Sequence, residues 1–389
     1  MTKLFDRTSH LFDGPQSHKE NSYEYYCRAT RPEAIDVLYE MEDWFRIYPD
    51  AEKTDLKNTF KNNFDAGFFE LFLFSLFHRM GYNIVIHPPV PNSNKTPDFL
   101  VSGFGEEFYL EAKVSYYESE EGKTTMRRLG TLYEVLDKAD ILDFFIYLKS
   151  VKDKRKKQPR ANVIRRFIES SVNSHQVDQL YEDMNTGRRS VPIIDIYEDD
   201  DIYIEFGPIP KSAEGRGKAA QRAIGIYGQE AKILENAPSL RKALKSKASR
   251  YGELDKPYII AINAIDMMAL DINDVWDCLT GTTCVDLELI KQTGEVKEFR
   301  QHDGFFTGRD DQGQNTRVSA AMITKINPHA WKNADYWIIE NEKARNAISL
   351  RTSSLITRFI QDGIIYRTSG LSLREIIKGN ECDNDSIAH

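Results

Sequence analysis

Apolar residues recur at helical spacing through residues 31–48, where Ala34, Val37, Leu38, Met41, Trp44 and Phe45 form one stripe and predict an amphipathic helix packed on a core. A further helix is expected to lead from residue 51 towards Phe64. The stretch 68–81 is apolar almost all round: on a helical wheel Ser75, His78 and Arg79 make its polar side, while Glu70 falls between Phe74 and Phe77 on the apolar side. After Gly81 the period changes to two. Residues 82–86 read as a strand closed by His87-Pro88-Pro89, residues 97–101 as a strand opened by Pro97, and residues 108–114 as a third. In the third, Phe108, Leu110, Ala112 and Val114 face one way and Tyr109, Glu111 and Lys113 the other.

Two segments offer the next helix and strand. Residues 129–138 followed by 144–148 come at once; residues 239–251 followed by 257–263 come later and fit better, with Leu240, Leu244, Lys247, Ala248 and Tyr251 on one helical face and Gly252 as C-terminal cap. The later choice makes residues 115–238 an insertion. It holds an expected hairpin, 192–197 and 202–206, turned by Glu198-Asp199-Asp200-Asp201. Further on, 274–281 reads as a short helix with Trp276 in the core, 318–325 and 336–340 as strands, 355–361 as a helix, and the polar end after Gly379 as disordered. The expected organisation is a helical extension over 1–56, an α/β domain over 57–345 with its insertion at about 115–238, and a C-terminal helix with a polar tail over 346–389.

Composition narrows the classes. With 52 basic against 60 acidic residues the net charge is −8, which argues against bulk attraction to nucleic acid, so any groove must be local. The best candidate is the tract 152–166, where Lys152, Lys154, Arg155, Lys156, Lys157, Arg160, Arg165 and Arg166 accompany one acid, Asp153. Cys27, Cys278, Cys284 and Cys382 lack the spacing of a zinc site or a disulfide framework. Gly215-Arg216-Gly217-Lys218 lacks P-loop spacing. No secretory leader is read at the start, and Glu70 interrupts the best membrane-span candidate, so a cytoplasmic protein is expected.

The candidate chemistry sits between Phe64 and Val114. A carboxylate on an apolar helix face, as at Glu70, is costly unless it has a partner such as a metal or a water held by one; the bland alternative is a side chain reaching the helix edge. Asp98 and Glu111 can project from neighbouring strands, with Lys113 two residues on, although Asp98 alone could be a turn residue and alternating Glu and Lys also describes a solvated strand face. His87 precedes the turn and could touch a substrate or be structural.

A helix with Glu, a strand, a strand opened by Pro97-Asp98 and a strand with Glu111-Ala112-Lys113 resembles the PD-(D/E)XK nuclease superfamily. The resemblance implies a restriction-endonuclease-like α/β fold, with a central mixed sheet flanked by helices. It also implies Mg²⁺, for which Mn²⁺ would substitute, held by Asp98, Glu111 and the Ala112 carbonyl with a further contact from Glu70, and Lys113 orienting or deprotonating the attacking water. Lys247 and Tyr251 resemble the Gln-x-x-x-Tyr motif of RecB-like members, with Lys in place of Gln, a cation and a phenol suited to a phosphate. The implied activity is phosphodiester hydrolysis, of DNA before RNA, in bacterial restriction or anti-phage defence, by a homodimer or a subunit of a defence complex. The alternatives are a nucleic-acid-binding or scaffold protein that has lost the chemistry and a hydrolase of small phosphate esters.

Overall fold

The computed structural model describes all residues except 1, 18–19, 92, 117–131, 133–134, 137, 156–158, 187, 189–192, 218–222, 226–235, 266–269, 286–297, 308–312, 351–352, 362–363 and 379–389. The polar end, Lys156, Lys157 and most of the 129–138 helix expected from the sequence lie outside the described residues. The chain divides into two units, one of residues 1–7, 32–117 and 233–389 and another of residues 8–31 and 118–232. In chain order the strands are β1 (Asn83–Ile86), β2 (Phe99–Gly103), β3 (Glu106–Tyr116), β4 (Phe144–Asp153), β5 (Asp195–Glu198), β6 (Ile202–Pro210), β7 (Ile224–Gly225) and β8 (Tyr258–Ile265). The remainder are β9 (Thr283–Val285), β10 (Glu298–Arg300), β11 (Ala320–Thr324), β12 (Tyr336–Glu340), β13 (Thr357–Gln361) and β14 (Ile364–Arg367).

In the first unit a mixed sheet runs in the order β1-β2-β3-β8-β11-β12-β13-β14. β1, β2 and β3 form an antiparallel meander, and β8 then lies parallel to both β3 and β11. β8 is buried along almost its whole length, as a strand flanked on both sides and covered on both faces must be. The segment before it is the helix Asn236–Ala248, so the later of the two candidate helix–strand pairs is the one that joins the sheet. The earlier strand, β4, instead pairs with β6 and β7 in the second unit's four-stranded sheet, β5-β6-β4-β7.

Two layers of helix pin β3 in place. On the Phe108 face lies the helix Phe64–Arg79, with Phe77 and Phe108 ring centroids 5.7 Å apart. This helix is buried nearly all round because Pro32–Ile47 and Lys53–Asn62 cover its other side, Trp44 against Phe72 at 5.8 Å and Phe60 against Phe64 at 5.3 Å. Close approach requires Gly67, where a Cβ would stand 2.6 Å from the Phe60 ring. Ser75, expected on the polar side, is buried too, since the added helices leave only the C-terminal end, His78 and Arg79, in water. On the other face of β3 and β8, Leu240 and Leu244 pack in one core with Tyr109, Tyr258, Ile260 and Ile262.

The expected helix at 355–361 is a strand. Its residues Thr357 and Phe359 face the core in alternation with Arg358, and β13 is held between β12 and β14. β-branched and aromatic side chains on a period of two favour this pairing over a helix that would have to bury Arg358. The C-terminal helix lies later, at Leu373–Lys378. Among the described residues no helix is long and apolar enough to cross a membrane.

Candidate active site

Asp98 stands one residue before β2. The antiparallel register pairs Phe99 with Leu110, which carries Asp98 to the position across from Glu111. Ala112 lies beyond the last β2–β3 pair, and its backbone N–H donates to Asp98 Oδ2 at 2.6 Å. That bond orients the carboxylate along β3. Burial raises the Asp98 pKa, the Glu111 charge raises it further, and the Ala112 N–H, Lys247 and His87 oppose the rise.

Glu111 is 1 % exposed and faces the helix Asn236–Ala248. A charge so deep needs compensation, and it has it: Lys247 pairs with Oε1 and the Tyr251 hydroxyl donates to Oε2. Arg250 Nη1 lies 3.7 Å from Oε1. The helix ends at Ala248, earlier than expected, and a turn carries Tyr251 back over the sheet before Gly252 reverses it at φ +75°. Lys247 and Tyr251 therefore point to one place, as their spacing implies, but what they contact there is a carboxylate. Burial, then Glu111, pushes the Tyr251 phenol well above its ordinary range.

Glu70 approaches from the helix on the other side of β3. Its Oε1 accepts from the Tyr48 hydroxyl at 2.9 Å, and its pKa is pushed up to about 7 by burial first, then by the Asp98 charge, with smaller contributions from Glu52 and Glu111. Three acids on a helix and two strands thus feel one another's charge. Lys113 follows on the Glu111 face, half-buried and opposite Ile262 of β8. His87 closes the β1 end: its backbone N–H donates to the Asp98 carbonyl at 3.0 Å, and its ring lies 3.6 Å from Glu52.

Sequence reasoning missed Tyr48 and Arg250. Tyr48 ends the first amphipathic stretch, and nothing in its local pattern links it to Glu70; the only signal is that a buried acid needs a donor. Arg250 lies one residue outside the helical face that carries Lys247 and Tyr251.

The donor set is hard: carboxylate oxygens and a strand carbonyl. Among the described residues no group of three or more His, Cys, Asp or Glu stands in a constellation for a metal ion. Mg²⁺, however, is ordinarily held by one or two carboxylates, with waters and substrate phosphates completing its octahedron. Asp98 and Glu111 suit that arrangement, and a cation would offset the burial and the Glu111 charge that raise Asp98.

The basic tract of the second unit is not an open groove where it is described. Lys154 pairs with Glu198 at 2.5 Å, Arg155 with Asp200 at 3.4 Å and Arg160 with Asp199 at 3.4 Å, so the acidic turn between β5 and β6 takes up three of the six described cations, and Arg165 lies 3.7 Å from Glu169. Comparison of the chain with protein-family models, with curated proteins and with solved structures finds no match.

Proposed function

We propose that the Glu70, Asp98, Glu111 and Lys113 cluster is the active site of a metal-dependent nuclease of the PD-(D/E)XK type. One observation carries the reading: a helix, three antiparallel strands, a second helix and a strand parallel to the third bring Asp98 across from a buried Glu111, two residues before Lys113. The same order of elements supports a restriction-endonuclease-like core. Asp98, Glu111 and the Ala112 carbonyl would hold Mg²⁺ or Mn²⁺, with Glu70 beside them. Bound there, the ion would polarise a phosphate and lower the pKa of a water.

The chain's own residues do the rest. The Ala112 N–H fixes Asp98, and Tyr48 fixes Glu70. Lys113, on the Glu111 face, holds or takes the proton of the attacking water. Lys247 and Arg250 meet the substrate phosphate once Glu111 is shared; Arg250, at 42 % side-chain exposure, presents a planar fork to the solvent side. DNA is the favoured substrate, and a restriction or anti-phage role, like assembly as a homodimer, rests on the resemblance alone.

A second reading has an observation of its own. Glu111 is already neutralised by Lys247 and Tyr251, as in a fold kept for binding after loss of chemistry. Plasmid nicking separates the two. Mg²⁺-dependent, EDTA-sensitive nicking that Lys113→Ala abolishes supports the nuclease; absence of nicking by the wild type supports the binding protein, and nicking undiminished in Lys113→Ala places the activity elsewhere.

A further inference from the structure

The β13–β14 hairpin sets two arginines directly opposite each other, Arg358 on β13 and Arg367 on β14. Opposed residues of an antiparallel pair share a face with Cβ atoms about 5 Å apart, and like charges there are unfavourable. Arg358 is half-buried, Arg367 exposed. Arg358 Nη1 is buried and, among the described residues, has no hydrogen-bond partner. A guanidinium that loses water without gaining an acceptor costs free energy that the fold must offset elsewhere.

The neighbouring groups do not repair this. The Tyr336 hydroxyl lies close enough to influence Arg358, yet it already donates to the Leu371 carbonyl at 2.7 Å and accepts from the Ile356 N–H at 2.9 Å. Asp335 acts on Arg358 only through its field and is itself exposed. Glu375, whose charge reaches Tyr336, spends a carboxylate oxygen on Ser372. Burial, and then the Arg367 charge, holds the Arg358 guanidinium below its ordinary range. The missing component is an anion that offers several acceptors to two adjacent guanidinium groups, which is what a phosphate does.

We infer that Arg358 and Arg367 form a phosphate-binding site on the edge hairpin of the large sheet, filled by a backbone phosphate of a nucleic acid. The anion site stands on the two arginines alone, and its occupation by nucleic acid rests on the nuclease reading proposed above. It gives the net-acidic chain a local cationic contact outside the basic tract, half of whose described cations are spent on the acidic turn.

The test uses the full chain in EDTA, so that no turnover enters it. Binding of a fluorescein-labelled DNA duplex is followed by anisotropy across a salt series, and inorganic phosphate is titrated against thermal unfolding. Wild type should show a phosphate-dependent rise in Tm. Arg367→Gln should raise the Tm of the free protein by removing the repulsion, abolish the phosphate response, and lower the slope of log K against log salt by about one. Arg358→Gln should do the same; if it fails to fold, Arg367→Gln, an exposed position, carries the test alone. Loss of the phosphate response with an unchanged duplex slope assigns the site to a free phosphate, and loss of both assigns it to nucleic acid. A folded Arg367→Gln protein in which both are unchanged overturns it.

Discussion

The acids around β3 and the acids of the β5–β6 turn are both clusters on short stretches of chain, but they meet opposite fates. At the turn, Glu198 and Asp200 are exposed and Asp199 is half-buried, and each finds a basic partner from the adjoining tract. Beside β3, Glu70 and Asp98 are half-buried against other acids, and the close cation, Lys247, is taken by the fully buried Glu111. Exposed opposite charges settle one another cheaply; buried like charges hold a proton or require a cation. The difference teaches that a charge run identifies a site only when burial prevents its neutralisation by side chains.

The largest expected effect tests the buried half. Asp98→Asn should lower Mg²⁺-dependent nicking by about a thousand-fold or more, on the order of losing a group that stabilises transition-state charge, while leaving or raising Tm because a repulsive buried charge is gone. A fall in both activity and Tm would make Asp98 a structural residue.

Next comes the compensating cation. Lys247→Met leaves Glu111 buried with Tyr251 as its remaining close donor, and urea unfolding should show a loss of about 3 kcal/mol. A loss below about 1 kcal/mol would mean that Glu111 is solvated in solution.

Glu70 gives a similar magnitude with a pH signature. Its folded pKa, about 7, lies above its ordinary value of 4.5, so between these the folded protein keeps a proton that the unfolded chain has released. Stability is therefore greatest below about pH 4.5 for this group and falls as pH rises through 7, by about 3 kcal/mol in all. Calorimetry of metal-free protein across that window should show the slope, Glu70→Gln should flatten it, and millimolar Mg²⁺ should flatten it in the wild type by competing with the proton. A slope of the opposite sign would contradict the burial of Glu70.

The smallest effect belongs to the surface. Lys154→Met should change unfolding free energy by about 1 kcal/mol or less, as exposed pairs do. A larger loss would erase the contrast between the two clusters.

Much of the site's frame was legible because it depends on local period. Alternation placed Glu111 and Lys113 on one strand face, and the apolar surroundings of Glu70 marked it as costly. Helical spacing joined Lys247 to Tyr251. What the sequence could not show was partnership at a distance: that Tyr48 donates to Glu70, that Glu111 is claimed by the distant Lys247, or that Lys154, Arg155 and Arg160 of the basic tract are spent on Glu198, Asp200 and Asp199. The 355–361 stretch failed for the same reason. Its few apolar residues suit either period, and the choice was made by β12 and β14, which flank it in the sheet.

The bond from Tyr251 to Glu111 spans 140 positions of chain, with most of the second unit in between. A ribosome adding about 5 to 20 residues each second needs roughly seven to thirty seconds to cover that distance. Throughout that interval the nascent polypeptide carries its central acid without the lysine and phenol that tame it, and β3 has no parallel neighbour on which to dock. The intervening unit can fold meanwhile and shorten the span that must close, leaving the β3–β8 pairing among the last parts of the molecule to mature.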